Sequence, residues 1–308
     1  AAPRRCGPPP GGATGGPVSS GAATSSGAAT PAGCARQVPG NPAAFRLTSR
    51  DRFILRTLAD HDVLTTSQVS DLAFGSLRAA QQRLAALARL GAVTRFRRNL
   101  PAGSEPWKFC LAPAGAVLIA AERGQPAPPA RKVRARALSL AASQRLGHQL
   151  GVNGFFTALA AAARASGGTC ALAGWQSEQR CAAEHGGIVR PDGYGAWASG
   201  GRVTGFFLEY DNATETTARA AGKLSQYADL ATVQAAPVLV LFWIASPARE
   251  AALRPALQRA AVPAVTVATA TPGRGQPAGP VWLPLGAARR LSLDRLPPPA
   301  CPEGGMPA

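Results

Sequence analysis

Apolar residues recur at helical spacing between residues 46 and 122, and from residue 138 onward they follow strand and helix spacings in turn. In the first stretch Phe53, Ile54 and Leu58 share one face of a helix expected over 50–59. Thr48 or Ser49 is placed to cap it, and Asp51 lies in the first turn, where the helix dipole favours an acid. Thr65 or Thr66 caps a short second helix carrying Val69 and Leu72, and Ser76 caps a third that runs to Leu90, with Leu84, Leu87 and Leu90 inward and Gly91 closing it. Residues 92–98 then alternate apolar and basic, 99–106 read as a turn, and 107–111 return as the partner strand of a hairpin before a helix over 114–122.

Three helices followed by a hairpin describe a winged helix-turn-helix. In that arrangement the third helix enters the major groove and the hairpin wing lies along the sugar-phosphate backbone. The base readers expected near the N-terminus of the third helix are Arg78, Gln81, Gln82 and Arg83, whose paired donors and acceptors match guanine and adenine edges. On the wing, Arg95, Arg97 and Arg98 are placed to neutralise phosphates. The same helix face also reads as a solvated surface or a protein-docking module.

After residue 138 the order changes to αβββαβαβ: a helix to about 165, strands at 170–181, 188–197 and 202–210, a helix over 217–230, the apolar strand 237–245, a helix over 247–260 and a strand at 264–268. The fold class expected for the whole chain is α+β, a winged helix followed by an α/β domain. Its sheet is mixed, with the first three strands antiparallel and the later ones joined through helical crossovers.

Composition sets the limits of the folded parts. Gly (34) and Pro (28) together occupy one-fifth of the 308 residues without a fixed period, which implies unstructured sequence beside folded domains. The Ala/Gly/Pro-rich segment 1–45 is expected to be disordered, 123–137 to be a basic linker with five basic residues and no acid, and 271–308 to be a Pro-rich tail. The folded units then fall at 46–122 and 138–270. No apolar run approaches the roughly 20 residues that cross a bilayer, and no signal-type segment opens the sequence, so a soluble cytoplasmic protein without membrane partners is expected. Six scattered cysteines with no C-x-x-C pair point to reduced thiols and argue against a zinc site.

The net charge of +17 points to a polyanionic partner, nucleic acid first. Only three of the 33 basic residues are lysine, so part of this excess reflects codon bias. There is no G-K-[ST] phosphate loop for an ATP-driven motor and no relaxase-type histidine cluster.

Acidic residues are few, yet three of them are placed to meet. Asp192 follows Pro191 on one expected strand, while Glu209 and Asp211 lie two apart on the next and so on one face. Lys223 and Tyr227 are four apart on the following helix. Asp192, Glu209 and Asp211 are candidate ligands for a hard divalent ion such as Mg²⁺, with Lys223 completing a candidate catalytic set. The structural alternative is a tight turn at Asp192-Gly193, with Glu209 and Asp211 capping the following helix or pairing with Arg219. His148, in an otherwise apolar helix, reads either as a ligand facing these acids or as a core histidine.

The αβββαβ order with Pro-Asp on one strand and Glu-x-acid on the next resembles the PD-(D/E)-x-K nuclease superfamily, which implies metal-activated attack of water on a phosphodiester. Asp211 stands where that motif has lysine, and Lys223 is the residue that takes its place from the helix. A broader resemblance covers about residues 46–260. "LTSRDRFILRTLADHDVLTTSQVSDLAF", "RLAALARLGAVTR", "GHQLGVNGF", "RPDGYG" and "FFLEYDNATETTARAAGKLSQYADL" occur in the order found in the replication-relaxation family of plasmid-associated bacterial proteins. That resemblance implies a protein binding double-stranded DNA in plasmid replication or transfer, alongside other replication or transfer proteins. It carries no enzymatic mechanism with it. An active Mg²⁺-dependent endonuclease and a transcriptional regulator with a sensor or partner domain remain open alternatives, and the pattern allows a homodimer without fixing one.

Overall fold

The computed structural model describes residues 47–97 and 105–297. Residues 1–46, which include the segment 1–45, residues 98–104, which hold Arg98 and the greater part of the expected hairpin turn, and residues 298–308 lie outside the described residues.

The N-terminal part is built from α1 (Ser49–His61), β1 (Leu64–Thr65), α2 (Thr66–Ala73), α3 (Leu77–Arg89), β2 (Val93–Phe96) and β3 (Lys108–Leu111), followed by α4 (Pro113–Glu122). Local chemistry sets the helix starts. Thr48 and Asp51 form a reciprocal capping box, in which the Thr48 amide donates to Asp51 Oδ2 at 2.7 Å and the Asp51 amide donates to Thr48 Oγ1 at 3.2 Å. Thr65 and Gln68 repeat the device on α2, and Ser76 caps α3. Gly91, at φ 68°, supplies the left-handed residue after α3. Ile54, Leu55, Leu58, Leu84 and Leu87 meet Phe109 in the core. Phe53 and Leu90, expected inward, are 45% and 38% exposed. Leu55 takes the inward position on α1 instead, and Leu90 has already reached the end of α3. The hairpin acquires an unanticipated third member, giving the antiparallel order β1-β3-β2.

The segment expected as a linker is largely helical: α5 runs from Ala130 to Ala142. Pro129 sets the chain direction at its start, and the Ala, Arg, Lys and Leu that follow are strong helix formers. The chain bends at Ser143, so α6 (Leu146–Ala165) is a separate helix rather than a continuation.

The second part holds β4 (Cys170–Ser177), α7 (Glu178–Glu184), β5 (Gly193–Ser199), β6 (Arg202–Asp211), α8 (Thr217–Gln234), β7 (Val238–Ile244), α9 (Pro247–Arg259), β8 (Val265–Ala270) and β9 (Leu283–Pro284). They form one six-stranded sheet in sequential order. β4, β5 and β6 run antiparallel as a meander, β6–β7 and β7–β8 pair in parallel through α8 and α9, and β9 returns antiparallel. Every residue of β7 is buried, as in a strand covered on both faces. Val238, Val240, Phe242 and Ile244 face α8 and α9; Leu239, Leu241 and Trp243 face α6 and the C-terminal segment.

That C-terminal segment corrects the expectation of a Pro-rich tail from 271. Through residue 297 it is packed on the sheet, with Trp282 fully buried and its Nε1 donating to the Pro277 carbonyl at 2.8 Å. Arg254 binds the carbonyls of Leu283 and Pro284, and Arg290 binds Glu250 and the Val281 carbonyl. The expected strand ending at 181 breaks at Ser177 into α7, and the next strand begins five residues later than expected, at Gly193.

α6 joins the two parts. Asn153, fully buried, donates from Nδ2 to the carbonyls of His61 and Val63 at 3.1 and 2.6 Å, and Gln68 Nε2 donates to the Leu150 carbonyl at 2.7 Å. On its other side α6 approaches β6 so closely that a Cβ on Gly151 would fall 2.2 Å from the Tyr210 ring.

Candidate functional site

The capping geometry of α3 leaves Arg78, Gln81 and Gln82 exposed along one side of the helix. Arg83 lies elsewhere. Its guanidinium forks onto the fully buried Asp51, with Nε donating to Oδ1 at 2.6 Å and NH2 donating to Oδ2. Burial alone would raise the Asp51 carboxyl, but the hydrogen bonds from Arg83 and Thr48 outweigh it and hold the acid ionised. The fourth expected base reader is therefore a structural cation that ties α1 to α3.

On the hairpin, Arg95 and Arg97 are exposed, and their guanidinium carbons lie 4.3 and 4.2 Å from the centre of the Trp107 ring. The aromatic face holds two arginines side by side. Arg95 is registered opposite Phe109, a core residue, so these side chains stand on the same face of the sheet as the core that α3 completes. Trp107 was expected only as a strand residue. Its role depends on a spacing of ten or more residues across the hairpin, which sequence periodicity does not reveal.

Asp192, Glu209, Asp211 and Lys223 line a single cleft of about 390 Å³ at the ends of β5 and β6, together with His148 and Tyr210. Asp192 Oδ2 accepts the Tyr210 amide at 2.8 Å. Oδ1 lies 2.8 Å from His148 Nε2, a close contact whose angle departs from that of a proper hydrogen bond. Burial pulls the His148 ring down, but Asp192 more than compensates and raises its pKa. His148 thus faces the acids rather than the core.

Glu209 is 3% exposed. One oxygen accepts the Tyr227 hydroxyl at 2.6 Å and the other accepts Lys223 Nζ. Burial, reinforced by the Asp192 charge, pushes its carboxyl up to about 7 against the pull of Lys223 and Tyr227. Burial and the neighbouring carboxylate likewise push the Tyr227 phenol well above its usual value. Such a carboxyl can take up or release a proton near neutral pH.

Asp211 is in the cleft wall but turned aside. Arg249, at the start of α9, binds it through Nε and NH2 at 3.1 and 3.0 Å, and the Ala213 amide donates to Oδ1 at 2.6 Å. Nothing local in the sequence announced Arg249, which lies 38 residues farther on. The carboxylate oxygens of Glu209 and Asp211 are all taken by protein donors, and Asp192 is engaged by Tyr210 and His148. Among the described residues no three His, Cys, Asp or Glu side chains are arranged to hold a metal ion. No helix among the described residues is long and apolar enough to cross a membrane.

A family model described as replication-relaxation matches residues 55–238, from within α1 to the first residue of β7. No curated protein and no solved structure matches the chain.

Proposed function

The chain belongs to the replication-relaxation family, and from that premise we propose that it binds duplex DNA through its N-terminal part in plasmid replication or transfer. The element order α1-β1-α2-α3-β2-β3 and the β1-β3-β2 sheet fit a winged helix, with α3 as the reading helix. One observation carries the reading. Arg78, Gln81 and Gln82 are exposed on α3, and Arg95 and Arg97 stand exposed on the wing, stacked against Trp107. Amide and guanidinium groups of the first set suit base edges, and the second set suits phosphates.

The carboxylate cleft lies in the second part and is a polar site of its own. With Asp211 paired to Arg249 and Glu209 to Lys223 and Tyr227, DNA binding rather than strand cleavage is the function proposed. Anisotropy titrations of labelled fragments from the neighbouring replicon test it. Selective binding of an origin fragment that is lost in an Arg78→Ala, Gln81→Ala, Gln82→Ala triple variant supports the reading. Equal binding by both proteins to every fragment refutes it.

A further inference from the structure

The three-stranded sheet has a second charged neighbour. Side chains alternate along β3, so Cys110 points away from the face that Phe109 gives to the core. On that opposite side lies α5, where Val133, Ala137 and Leu140 turn inward and line a hollow of about 270 Å³ with Cys110. Its outer side carries Arg131 and Arg134, with Leu138 at 73% exposure, while Lys132, also exposed, lines the hollow. The helix contains no acidic residue. Among the described residues only Arg136 of its four basic side chains forms an ion pair, with Asp62.

Two hollows lie between this helix and the carboxylate cleft. Arg136 lines both the hollow under α5 and a polar groove of about 220 Å³ beside α6 and α7. Arg145 lines both that groove and the cleft. Lys132, Arg136, Arg145 and Arg190 thus succeed one another along neighbouring hollows that share wall residues, the last of them lined by Asp192, Glu209 and Lys223. Asp62 and Glu178 hold two of these arginines in place along the track.

We propose that this surface is a second nucleic-acid site, separate from α3 and the wing, that takes a single strand of DNA along α5 and leads it into the cleft. The succession of guanidinium and ammonium groups suits phosphates. The cleft, at about 390 Å³, is of the size that encloses a small ligand or one nucleotide, and a duplex does not enter it. At the inner end the half-buried Tyr210 and His148, edge-on to each other at 5.4 Å, line the cleft. The inference goes beyond duplex binding by α3 and stands independently of it.

The test is anisotropy of the full chain with a labelled oligothymidine and, in parallel, with a labelled duplex. Lys132→Glu with Arg190→Glu, and separately Arg145→Glu, are expected to weaken oligothymidine binding about tenfold while duplex binding changes less than about twofold. Loss of two phosphate contacts in the double variant should also shallow the single-strand salt slope by about 1.4, at roughly 0.7 per contact. Photo-crosslinks from the oligothymidine should fall in 130–149 or 177–179. The proposal is overturned if the native chain does not bind oligothymidine, if the charge reversals leave that binding unchanged, or if crosslinks fall on α3 and the wing. Failure of duplex binding to respond to the α3 triple variant overturns the winged-helix reading alone.

Discussion

The Arg83 guanidinium forks onto the Asp51 carboxylate, joining the third helix of the N-terminal part to the first across a fully buried acid. A charge that looks from its position like a DNA contact is consumed inside the protein, and this changes what its removal should do. Arg83→Ala leaves Asp51 buried with only Thr48 to satisfy it. Removing one partner of a buried pair costs about 3–5 kcal/mol, reduced here to about 2–3 kcal/mol because Arg83 is 31% exposed. Urea melts should show that loss, and at low temperature the folded variant should keep native sequence preference in a binding-site selection.

Arg78, Gln81 and Gln82 present the opposite case, being exposed and without a structural role. Gln81→Ala and Gln82→Ala should leave the melting curve within about 0.5 kcal/mol of native. They should narrow the gap between specific and random DNA, as the loss of a bidentate base contact worth about 1–3 kcal/mol requires. Competition binding against random duplex measures that gap directly.

How far these differences were legible depends on sequence separation. Helix starts were readable because a cap and its partner lie three residues apart, as in Thr48–Asp51 and Thr65–Gln68. β7 was readable because seven consecutive apolar residues have few other uses. Strand alternation put Glu209 and Asp211 on one face and helix spacing put Lys223 on the side of Tyr227, whereas the placing of Asp192 and Lys223 in the same cleft depends on how the strands and α8 pack. Arg83–Asp51 and Arg249–Asp211 were not readable, because each joins residues more than 30 apart whose encounter depends on packing. The same holds for the C-terminal segment: its proline content resembles that of a tail, whereas Val281, Trp282, Leu293 and Leu296 are all buried in the core.

On the wing, Trp107 should matter through the arginines it supports. Trp107→Ala removes two cation–π contacts, each worth about 0.5–1 kcal/mol at an exposed site, and frees Arg95 and Arg97 to wander. Affinity for all duplexes should fall several-fold with the salt slope nearly kept. Arg95→Glu with Arg97→Glu should instead shallow that slope by about 2, since two phosphate contacts at about 0.9 each are lost. Titrations at several salt concentrations separate the two variants.

Gly151 tests the closeness of α6 to the sheet. A Cβ there would meet the Tyr210 ring at 2.2 Å, so either α6 or Tyr210 must shift. Gly151→Ala would gain helix propensity at an open site, yet here it should destabilise by about 1–3 kcal/mol through overpacking. Gly147→Ala, four residues earlier with nothing within 4 Å of the added carbon, is the control and should be neutral or stabilising. Paired thermal melts distinguish a steric cause from a general intolerance of the helix.

The pH dependence of stability should contain two opposed contributions. His61 stacks on Trp175 at 3.6 Å, and burial pushes its ring down to about 3 from 6.5. Below pH 6.5 the unfolded chain binds a proton that the folded ring refuses, so stability falls as pH drops from about 6.5 toward 3, by up to about 1.4 kcal/mol per unit. Glu209 acts the other way. Its carboxyl, raised from 4.5 to about 7 by burial and Asp192, keeps a proton that the unfolded chain releases, so its contribution is complete below about 4.5 and is lost as pH rises to about 7. His148, also raised, adds to the second trend. Between about 4.5 and 6.5 the His61 and Glu209 slopes oppose each other, and single substitutions should separate them. His61→Phe, which keeps an aromatic ring against Trp175, should gain stability relative to the native chain as pH falls, whereas Glu209→Gln should lose it over the same interval. Urea melts of the three proteins at half-unit steps measure both differences. Parallel curves for His61→Phe and the native chain would mean that the ring ionises freely in the folded state.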